Sequence, residues 1–386
     1  NTVITTLESD LEGPAAEDTG FGPVVEENYQ QEDAEESEDD DQKKSTEESE
    51  DDDQKNAEES ENDEAQKDAD QPENTDRQEN AGQQPQPQQA APADAAPAAP
   101  APANGFCKNI ITVINNAATA LKLTLKDVKI DVSDTGKNTG YPWTSDEGKA
   151  ALSVQGNGNV EIELDGNNEL KSGPHRAGLE KNTSTSTGTL TLKDDNNEAG
   201  SLTATGGDWG AGIGNGGYYG NSDNRSGENI TITGGTVNAT GGWGGAGIGG
   251  GYYGSGKNIT IKGGTVTATG GEEGAGIGGG YYYGGGYYGN GYYGNGENIK
   301  ITDGTVNATG GWGGAGIGGG ISGSGKNITI TGGTVNADGG TNAAGIGGGA
   351  TGSGSNVTVS GAAQVTAIAG KSNGYYGAGA TIGNGG

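Results

Sequence analysis

Tyr and Trp side chains gather beside a repeated Gly-Ile-Gly triplet, and they are the side chains here best suited to bind a ligand. Of the 15 Tyr, 13 border this triplet or the Thr-Ile-Gly that ends the series, and three of the four Trp precede it. Rings with a polar edge can stack on sugars or on a partner surface. The candidate ligand-binding residues are Trp209, Tyr218, Tyr219, Trp243, Tyr252, Tyr253, Tyr281, Tyr282, Tyr283, Tyr287, Tyr288, Tyr292, Tyr293 and Trp312. The alternative, that these rings pack on one another and shield glycine backbone, stays open.

Residues for catalysis are scarce. Polysaccharide lyases and hydrolases need clustered carboxylates or basic groups on a groove. Apart from a charge pattern described below, the regular repeats offer only Asp208, Asp223, Glu272, Glu273, Asp303 and Asp338. His175 is expected to be a loop residue, and Cys107 to belong to a cap. One His and one Cys leave no His/Cys metal spacing, so we expect no metal, no cofactor and no enzyme activity.

Rows of Thr and Asn suggest a third kind of surface. The second strand of each repeat presents three polar residues, of which Thr236, Asn238 and Thr240 are one set and Thr334, Asn336 and Asp338 another. Regular outward Thr resembles ice-binding solenoids, an analogy from fold. The mixture with Asn and Asp spoils the flatness of such a surface, and β propensity by itself also favours outward Thr.

The elements that position these residues occupy only part of the chain. Of 386 residues, the first 104 contain 32 acidic and five basic side chains, a net charge of −27, which leaves −5 of the total −32 for the rest. Gly is distributed the opposite way, with four in the first part and 77 in the second. Residues 1–104 contain a near-repeated Glu-Glu-Ser block and a Pro/Ala/Gln-rich stretch, which predict a disordered acidic tether.

Several partner classes are disfavoured by composition. The acidic balance argues against nucleic acid, and no run of about 20 apolar residues could span a bilayer. A single Cys excludes an internal disulfide framework. The sequence contains no Met, which suggests a processed N-terminus and therefore export. We expect an extracellular location, either secreted or on the cell surface.

The second part of the chain repeats with a period of 29 residues. Asn-Ile-Thr-Ile or a close variant begins at Asn229, Asn258, Asn298, Asn327 and Asn356. The triplet Ile falls at Ile213, Ile248, Ile277, Ile317, Ile346 and Ile382. Both markers stretch to 40 residues at one repeat, which places an 11-residue insertion within residues 281–296. Such a period indicates a stacked array.

Each repeat contains three short alternating segments joined by Gly-rich steps. In the unit from Asn229 to Lys257, alternation puts six residues on one face: Ile230, Ile232, Val237, Ala239, Ala246 and Ile248. Gly and β-branched residues disfavour a helix. Three strands joined by sharp turns form one coil of a β-solenoid, and stacked coils pair each strand with its equivalent in the next coil. The fold class predicted is therefore all-β, a right-handed parallel β-helix.

Stacking would align equivalent residues of successive coils about 4.8 Å apart. The Asn residues that begin each repeat would then form a stack at a turn. The preceding residues, Glu228, Lys257, Glu297, Lys326 and Ser355, would form a ladder of alternating charge. Alternatively, Asn229, Asn258, Asn327 and Asn356 could be glycosylation sites, although their strict register favours a structural role.

The residues before the regular array have a looser pattern of the same kind. Strands are predicted at Leu121–Leu125, Val128–Val132, Val160–Leu164, Leu190–Leu192 and from Leu202, and Arg176-Ala-Gly-Leu stands in the place of a Gly-Ile-Gly segment. We expect seven or eight coils, with residues 105–205 forming a cap and irregular coils, and residues 206–386 forming regular Gly-rich repeats.

The motif Gly-Gly-Thr-Val-x-Ala-x-Gly-Gly followed by Ala-Gly-Ile-Gly-Gly-Gly resembles the Gly-rich right-handed parallel β-helix repeats of surface proteins of Firmicutes, which are often labelled carbohydrate-binding. The resemblance covers about residues 108–386. It implies an exported, non-catalytic surface module, with glycan binding as its weakest implication, and carries over no binding residue. The chain departs from the family in its Tyr clusters and in having no visible sortase motif.

Together these patterns predict a non-enzymatic surface module. We expect an adhesive or glycan-binding β-solenoid, with a polysaccharide or surface glycan as partner. The alternatives are a purely structural surface spacer, an ice-binding Thr face and a polysaccharide-degrading enzyme.

Overall fold

The structure is a computed structural model that describes residues 2–5, 24–25, 105–139, 145–181, 183–196, 198–217, 226–281 and 294–386. The described residues form strands and turns and contain no helix. The chain divides into two units, Asn1–Asn28 with Ala98–Gly386, and Tyr29–Pro97. The second unit, which holds most of the predicted tether, lies outside the described residues.

The strands are short and follow one another at regular intervals. The early strands are β1 (Thr2–Thr5), β2 (Val24–Val25), β3 (Ile111–Ile114), β4 (Leu121–Lys126), β5 (Lys129–Asp131), β6 (Leu152–Gln155), β7 (Val160–Lys171), β8 (Leu179–Glu180), β9 (Leu190–Lys193), β10 (Gly200–Thr205) and β11 (Ile213–Gly214). The later strands are β12 (Ser226–Ile232), β13 (Thr236–Thr240), β14 (Ile248–Gly249), β15 (Ser255–Ile261), β16 (Thr265–Thr269), β17 (Ile277–Gly278), β18 (Gly296–Glu297), β19 (Lys300–Ile301), β20 (Thr305–Thr309), β21 (Ile317–Gly318), β22 (Gly325–Ile330), β23 (Thr334–Asp338), β24 (Ile346–Gly347), β25 (Gly354–Val359), β26 (Gln364–Ile368) and β27 (Ile382–Gly383).

Successive coils stack in parallel and form three ladders. In one coil β12 belongs to the first ladder, β13 to the second and β14 to the third, and each pairs with its equivalent 29 residues later. From β4 to β27 the chain makes eight such coils. The first two ladders are joined into a 17-stranded sheet through β7, whose two halves belong to one ladder each, and the third is a 10-stranded sheet. The prediction of a parallel β-helix is confirmed.

The core lies between the three ladders. All six residues predicted to face inward in the unit from Asn229 are fully or almost fully buried. The predicted strands upstream are also present, with larger core residues such as Leu123, Leu164 and Leu192. Because each coil buries only a few apolar side chains, its stability depends on its neighbours.

The predicted Asn stack is present, and the backbone pairing of the first ladder skips these Asn residues. Each Asn adopts a left-handed backbone, with φ between 52° and 57°. The amide Nδ2 of Asn258 donates to Asn229 Oδ1 at 3.0 Å, and the same bond recurs from Asn298, Asn327 and Asn356 to the Asn one coil earlier. These amides are therefore used in stacking, which supports the structural role over glycosylation. In the neighbouring charge ladder, Lys326 Nζ lies 3.7 Å from Glu297 Oε1.

Two strands lie within the region predicted as a tether. Strand β1 pairs in parallel with β4, so that Thr2 is opposite Leu123 and Thr5 is opposite Lys126. Strand β2 pairs in parallel with β3. The sequence did not reveal these strands because they are short, and their partners follow about a hundred residues later. The rest of the predicted tether lies outside the described residues.

Candidate functional site

The predicted aromatic residues that the structure describes lie where two turns of the coil meet beside the third ladder. One turn precedes the third-ladder strand and the other follows it. The backbone N–H of Tyr252, in the following turn, donates to the carbonyl of Trp209 in the preceding turn one coil earlier, at 2.8 Å. Equivalent bonds run from Tyr281 to Gly244 at 2.7 Å and from Ile321 to Glu273 at 3.0 Å. We call this stacked pair of turns the aromatic corner.

Three columns of residues make up the aromatic corner. The inner column, four residues before the third-ladder Leu or Ile, contains His175, Trp209, Gly244, Glu273, Gly313 and Asn342. The outer column, one residue earlier, contains Asp208, Trp243, Glu272, Trp312 and Thr341. The covering column, four residues after the same Ile, contains Gly217, Tyr252, Tyr281, Ile321 and Ala350.

Every residue of the inner column has a left-handed backbone. The φ angles are 63° at His175, 70° at Trp209 and 76° at Glu273, against 76° and 79° at the two glycines. A side chain in this conformation costs of the order of 1 kcal/mol, unless it is Gly or Asn. The left-handed turn therefore fixes the direction in which the side chains of His175, Trp209 and Glu273 leave the backbone, at a local energetic cost.

In two successive coils, a large side chain in either the inner or the covering column occupies the space next to a glycine in the other. Where Trp209 supplies a ring, the covering residue is Gly217, and a Cβ added there would lie 2.4 Å from Trp209 Cβ. One coil later the roles are reversed, because a Cβ on Gly244 would lie 3.0 Å from the Tyr252 ring. In these two coils a large side chain in one turn is thus matched by a glycine in the other, whereas the next coil has a large side chain in both, Glu273 and Tyr281.

Five of the predicted ligand-binding residues form one packed cluster. Trp243 lies at ring-centroid distances of 6.4 Å from Trp209, 5.9 Å from Tyr252 and 5.5 Å from Tyr281, and Tyr252 lies 4.4 Å from Tyr253. Trp209 is 1% exposed, Tyr252 4% and Tyr281 9%. Such pairs contribute about 0.5–1.5 kcal/mol each beyond burial. At these positions the rings pack on one another, the alternative left open by the sequence, and they do not form an exposed stripe.

The other predicted aromatic residues have different surroundings. Trp312 is 44% exposed on the outer column, one coil beyond the exposed carboxylate of Glu272. From Asp208 to Trp312 the outer column thus alternates between acidic and indole side chains. The remaining candidates, Tyr218, Tyr219, Tyr282, Tyr283, Tyr287, Tyr288, Tyr292 and Tyr293, lie outside the described residues.

The inner column holds three buried polar atoms that have no hydrogen-bond partner. They are His175 Nε2, Trp209 Nε1 and Glu273 Oε2, and the described residues contain only one other such atom, Ser186 Oγ. An unpaired buried polar group costs about 1–3 kcal/mol. Because native proteins satisfy most of their buried polar groups, three in one corner indicate a place where a polar partner is needed.

Burial also shifts the pKa values of two side chains in the inner column. The pKa of the Glu273 carboxyl rises to about 7 because the group is desolvated and, secondarily, because Glu272 is adjacent. Desolvation lowers the pKa of His175, whose ring lies 4.6 Å from that of Trp209 and bonds the backbone of Gly217. Near neutral pH the corner therefore contains a neutral imidazole and a carboxyl close to its titration point.

Charged residues next to the aromatic corner are engaged in pairs. Arg176 Nη2 lies 2.7 Å from Glu147 Oε2 and its Nη1 lies 3.2 Å from Glu180 Oε1. Glu180 is buried, which raises its pKa. Lys181 is fully buried and donates to the carbonyl of Ser186 at 2.9 Å, and desolvation lowers its pKa to about 8. None of these residues was singled out for chemistry by the sequence, because no spacing marks them.

The residues considered for catalysis fall into two groups, one in the aromatic corner and one elsewhere on the coils. Asp303 Oδ1 accepts from the N–H of Gly304 in a turn, whereas Asp338 ends a second-ladder strand. Cys107 is buried in the first coil and forms a parallel bridge with Ile130. His175 lies in a turn, as expected, and Asp223 lies outside the described residues. Glu272 and Glu273 are consecutive in the aromatic corner, where the N–H of His175 also donates to the carbonyl of Asp208 one coil later at 2.7 Å.

The Thr rows are in register along the second ladder. Thr236, Thr265, Thr305 and Thr334 occupy successive coils and are exposed. Between the rows of Thr, Asn336 Nδ2 donates to Asn307 Oδ1 at 2.9 Å. The mixed row thus contains one amide pair between Thr residues, and ice binding stays a prediction.

Two classes of site find no support in the part of the chain that the structure describes. Its His, Cys, Asp and Glu side chains form no group of three or more that could hold a metal ion. It also contains no helix long and apolar enough to cross a membrane.

The residues of the inner column could not be recognised from the sequence as one group. Its members have different chemical types, and only their constant offset from the third-ladder Ile relates them. That offset could have been noticed, but the left-handed backbone and the unpaired atoms depend on how the two turns stack. Tyr252 and Tyr281 were correctly associated with Trp209, whereas their burial was not foreseen.

Four segments match a protein-family model. The Beta helix repeat model matches residues 230–252, 259–281, 299–321 and 328–350, each of which runs from the first-ladder Ile to the covering column. Comparison with curated proteins and with solved structures found no match. The chain is thus a parallel β-helix whose regular coils are similar to the Beta helix repeat.

Proposed function

We propose that this protein is an exported, non-enzymatic β-helix that binds glycan at the aromatic corner. The observation that carries the proposal is the outer column, in which the exposed Trp312 ring and the exposed Glu272 carboxylate lie beside the packed rings. Sugar hydroxyls both donate and accept hydrogen bonds, so they suit both an indole N–H and a carboxylate. The apolar faces of sugar rings suit the adjacent indoles.

The outer column supplies the accessible part of the site. Trp312 offers an exposed ring, and the exposed carboxylate of Glu272 precedes it by one coil. Trp243 and Trp312 are two coils apart, about 10 Å along the stack. An extended polysaccharide lying along the coils would therefore meet a carboxylate between two indoles. The 11-residue Tyr-rich insertion follows Tyr281 in the sequence.

The absence of enzyme activity is part of this proposal. Glycoside hydrolysis needs two carboxyl groups on opposite sides of the scissile bond. Glu272 and Glu273 are consecutive residues of one turn, Asp208 lies two coils before Glu272 on the outer column, and Asp303 and Asp338 lie elsewhere on the coils. Binding without turnover is the function that this arrangement favours.

A depletion assay with the full chain tests the proposal. The protein is mixed with insoluble polysaccharides, including cellulose, chitin and a bacterial cell wall, and the unbound fraction is measured. We expect Trp312→Ala to weaken binding about tenfold, since a stacked ring contributes of the order of 1 kcal/mol. Thr305→Ala is the matched control, because Thr305 is an exposed residue of the same coil on the second ladder. Equal binding by the two variants would exclude the aromatic corner as the site.

A purely structural spacer is the second candidate. It is favoured by the packing of Trp209, Tyr252 and Tyr281, which stabilises adjacent coils without any ligand. A spacer would show no depletion by any polysaccharide, and its unfolding would not shift with added glycan. Increased resistance to unfolding with soluble oligosaccharide would instead support binding.

A further inference from the structure

The first coil of the β-helix is assembled from two distant parts of the chain. Cys107, which bridges to Ile130, occupies the second-ladder position, and β3 occupies the third-ladder position. The first-ladder position is occupied by β1, Thr2–Thr5, which pairs with β4. Strand β1 therefore completes a coil whose other strands begin about a hundred residues later.

Strand β1 covers an edge that would otherwise be open. Strand β4 pairs with β7 on one side and with β1 on the other. Without β1, its outer edge would present unpaired N–H and C=O groups above the buried Leu123 and Leu125. Such an edge is a template for a strand from another chain.

The connection between β1 and this edge is long and acidic. Residues 26–104 contain 27 acidic and five basic side chains, a composition that predicts an extended, self-repelling chain. A linker of roughly 80 residues holds its ends at an effective concentration of the order of 1 mM, and less if it is extended. A strand from a second copy makes the same contacts as the chain's own strand, so only concentration decides between them.

We propose that β1 exchanges between copies, so that the β4 edge of one molecule binds Thr2–Thr5 of another copy of this chain. Molecules crowded on a surface would then become linked by their N-terminal strands. This inference is independent of the glycan proposal, because it concerns the N-terminal end of the β-helix, before the regular repeats, and uses only backbone pairing.

A mixing experiment with two single-cysteine additions tests the exchange. Thr5→Cys is introduced into one preparation and Lys126→Cys into another, because these two residues are register neighbours. Neighbouring strands bring Cα atoms to about 5 Å, within the range for a disulfide. Under mild oxidation, the mixture should accumulate covalent dimer, with a yield that rises in proportion to chain concentration below about 1 mM.

Two controls make the outcome decisive. Lys122→Cys replaces Lys126→Cys in a second mixture. Lys122 is exposed on the same strand but is four residues from Lys126, so it should give at most a tenth of the dimer. A chain with both Thr5→Cys and Lys126→Cys should close on itself in dilute solution. If the double variant forms its intramolecular disulfide but the mixture forms no dimer, β1 stays with its own chain. If neither disulfide forms, β1 does not bind this edge. Either result would overturn the proposal.

Discussion

The second residue of the third-ladder strand is built differently in the irregular and the regular coils. In the early coils it is Ser153 and then Glu180, whose carboxylate binds Arg176. From β11 onward it is glycine, at Gly214, Gly249, Gly278, Gly318, Gly347 and Gly383, with φ between 131° and 140°. The early coils thus use side chains where the later coils bring backbone against backbone.

The difference extends to the outward faces of the ladders. Ion pairs such as Lys129–Glu169 at 3.3 Å and Lys193–Glu163 at 3.3 Å connect the early coils. Asn amides and close glycine contacts connect the later ones. These ion pairs are half-buried or buried and can be replaced by other side chains, whereas a glycine contact admits no side chain at all. The regular coils are therefore held together by close backbone packing that leaves no room for a side chain. The irregular coils are held together by side-chain contacts that tolerate substitution.

The largest expected effect is at Gly278. A Cβ added there would lie 1.9 Å from the carbonyl oxygen of Gly318, and its φ of 135° strains any other residue. We expect Gly278→Ala to lower the free energy of unfolding by about 3 kcal/mol or more. Urea denaturation of the full chain measures the change.

Glu180→Ala is the matched control for Gly278→Ala. Glu180 occupies the same register position in an early coil, and Arg176 keeps its other partner, Glu147. We expect a loss of about 1–2 kcal/mol. If the two substitutions cost the same, the distinction between the two regions is wrong.

The Asn stack should give a smaller effect. Asn298 donates to Asn258 and accepts from Asn327, and its φ is 56°. We expect Asn298→Ala to cost about 2 kcal/mol, from two exposed amide bonds and the left-handed backbone. Asn298→Gly keeps the backbone free of strain and should cost about half as much. Equal losses in thermal or urea unfolding would show that the amide bonds alone matter.

The smallest expected effect is a pair of opposite pH dependences on the inner column. Glu273 has its pKa raised from 4.5 to about 7, so the folded state binds more protons and stability falls as pH rises through this window. His175 has its pKa lowered from 6.5 by burial, so stability falls as pH drops below 6.5. Solvent screening reduces the Glu273 effect to about 1 kcal/mol.

Unfolding measured between pH 4.5 and pH 8 checks both signs. Glu273→Gln should remove the loss of stability toward pH 7, whereas His175→Gln should remove the loss below about pH 6.5. Glu272→Gln is the control: it removes only the smaller cause of the raised pKa and keeps the desolvated carboxyl of Glu273, so most of the loss of stability toward pH 7 should remain. A pH profile unchanged in Glu273→Gln would mean that this carboxyl is not desolvated in solution.

Much of the fold could be predicted because the same residue pattern, which encodes one coil, recurs several times along the sequence. The alternation around Ile230 and Ile232 identified the inward face, and the constant register of Asn229 and its equivalents identified the stack. The early coils were also found, since Leu121–Leu125 and Leu190–Leu192 alternate in the same way. Strands β1 and β2 could not be predicted, because their pairing depends on residues far away in the sequence.

The candidate site was predicted in composition but not in arrangement. The sequence associated Trp209, Trp243 and Tyr252 with one part of the coil, and the structure brings them together. Spacing alone could not decide which rings would be buried, since that depends on how one turn covers the turn of the previous coil. The unpaired atoms of His175 and Glu273 follow from the same stacking and have no signature in the sequence.

The sequence by itself determined the β-helix, its period, its inward face and its Asn stack, because local alternation and exact repetition constrain every coil in the same way. Only the tertiary structure decided that Trp209, Tyr252 and Tyr281 are packed whereas Trp312 is exposed. It also decided that Thr2–Thr5 completes the first coil. These features depend on contacts between successive coils and on pairing across about a hundred residues, which a local pattern does not encode.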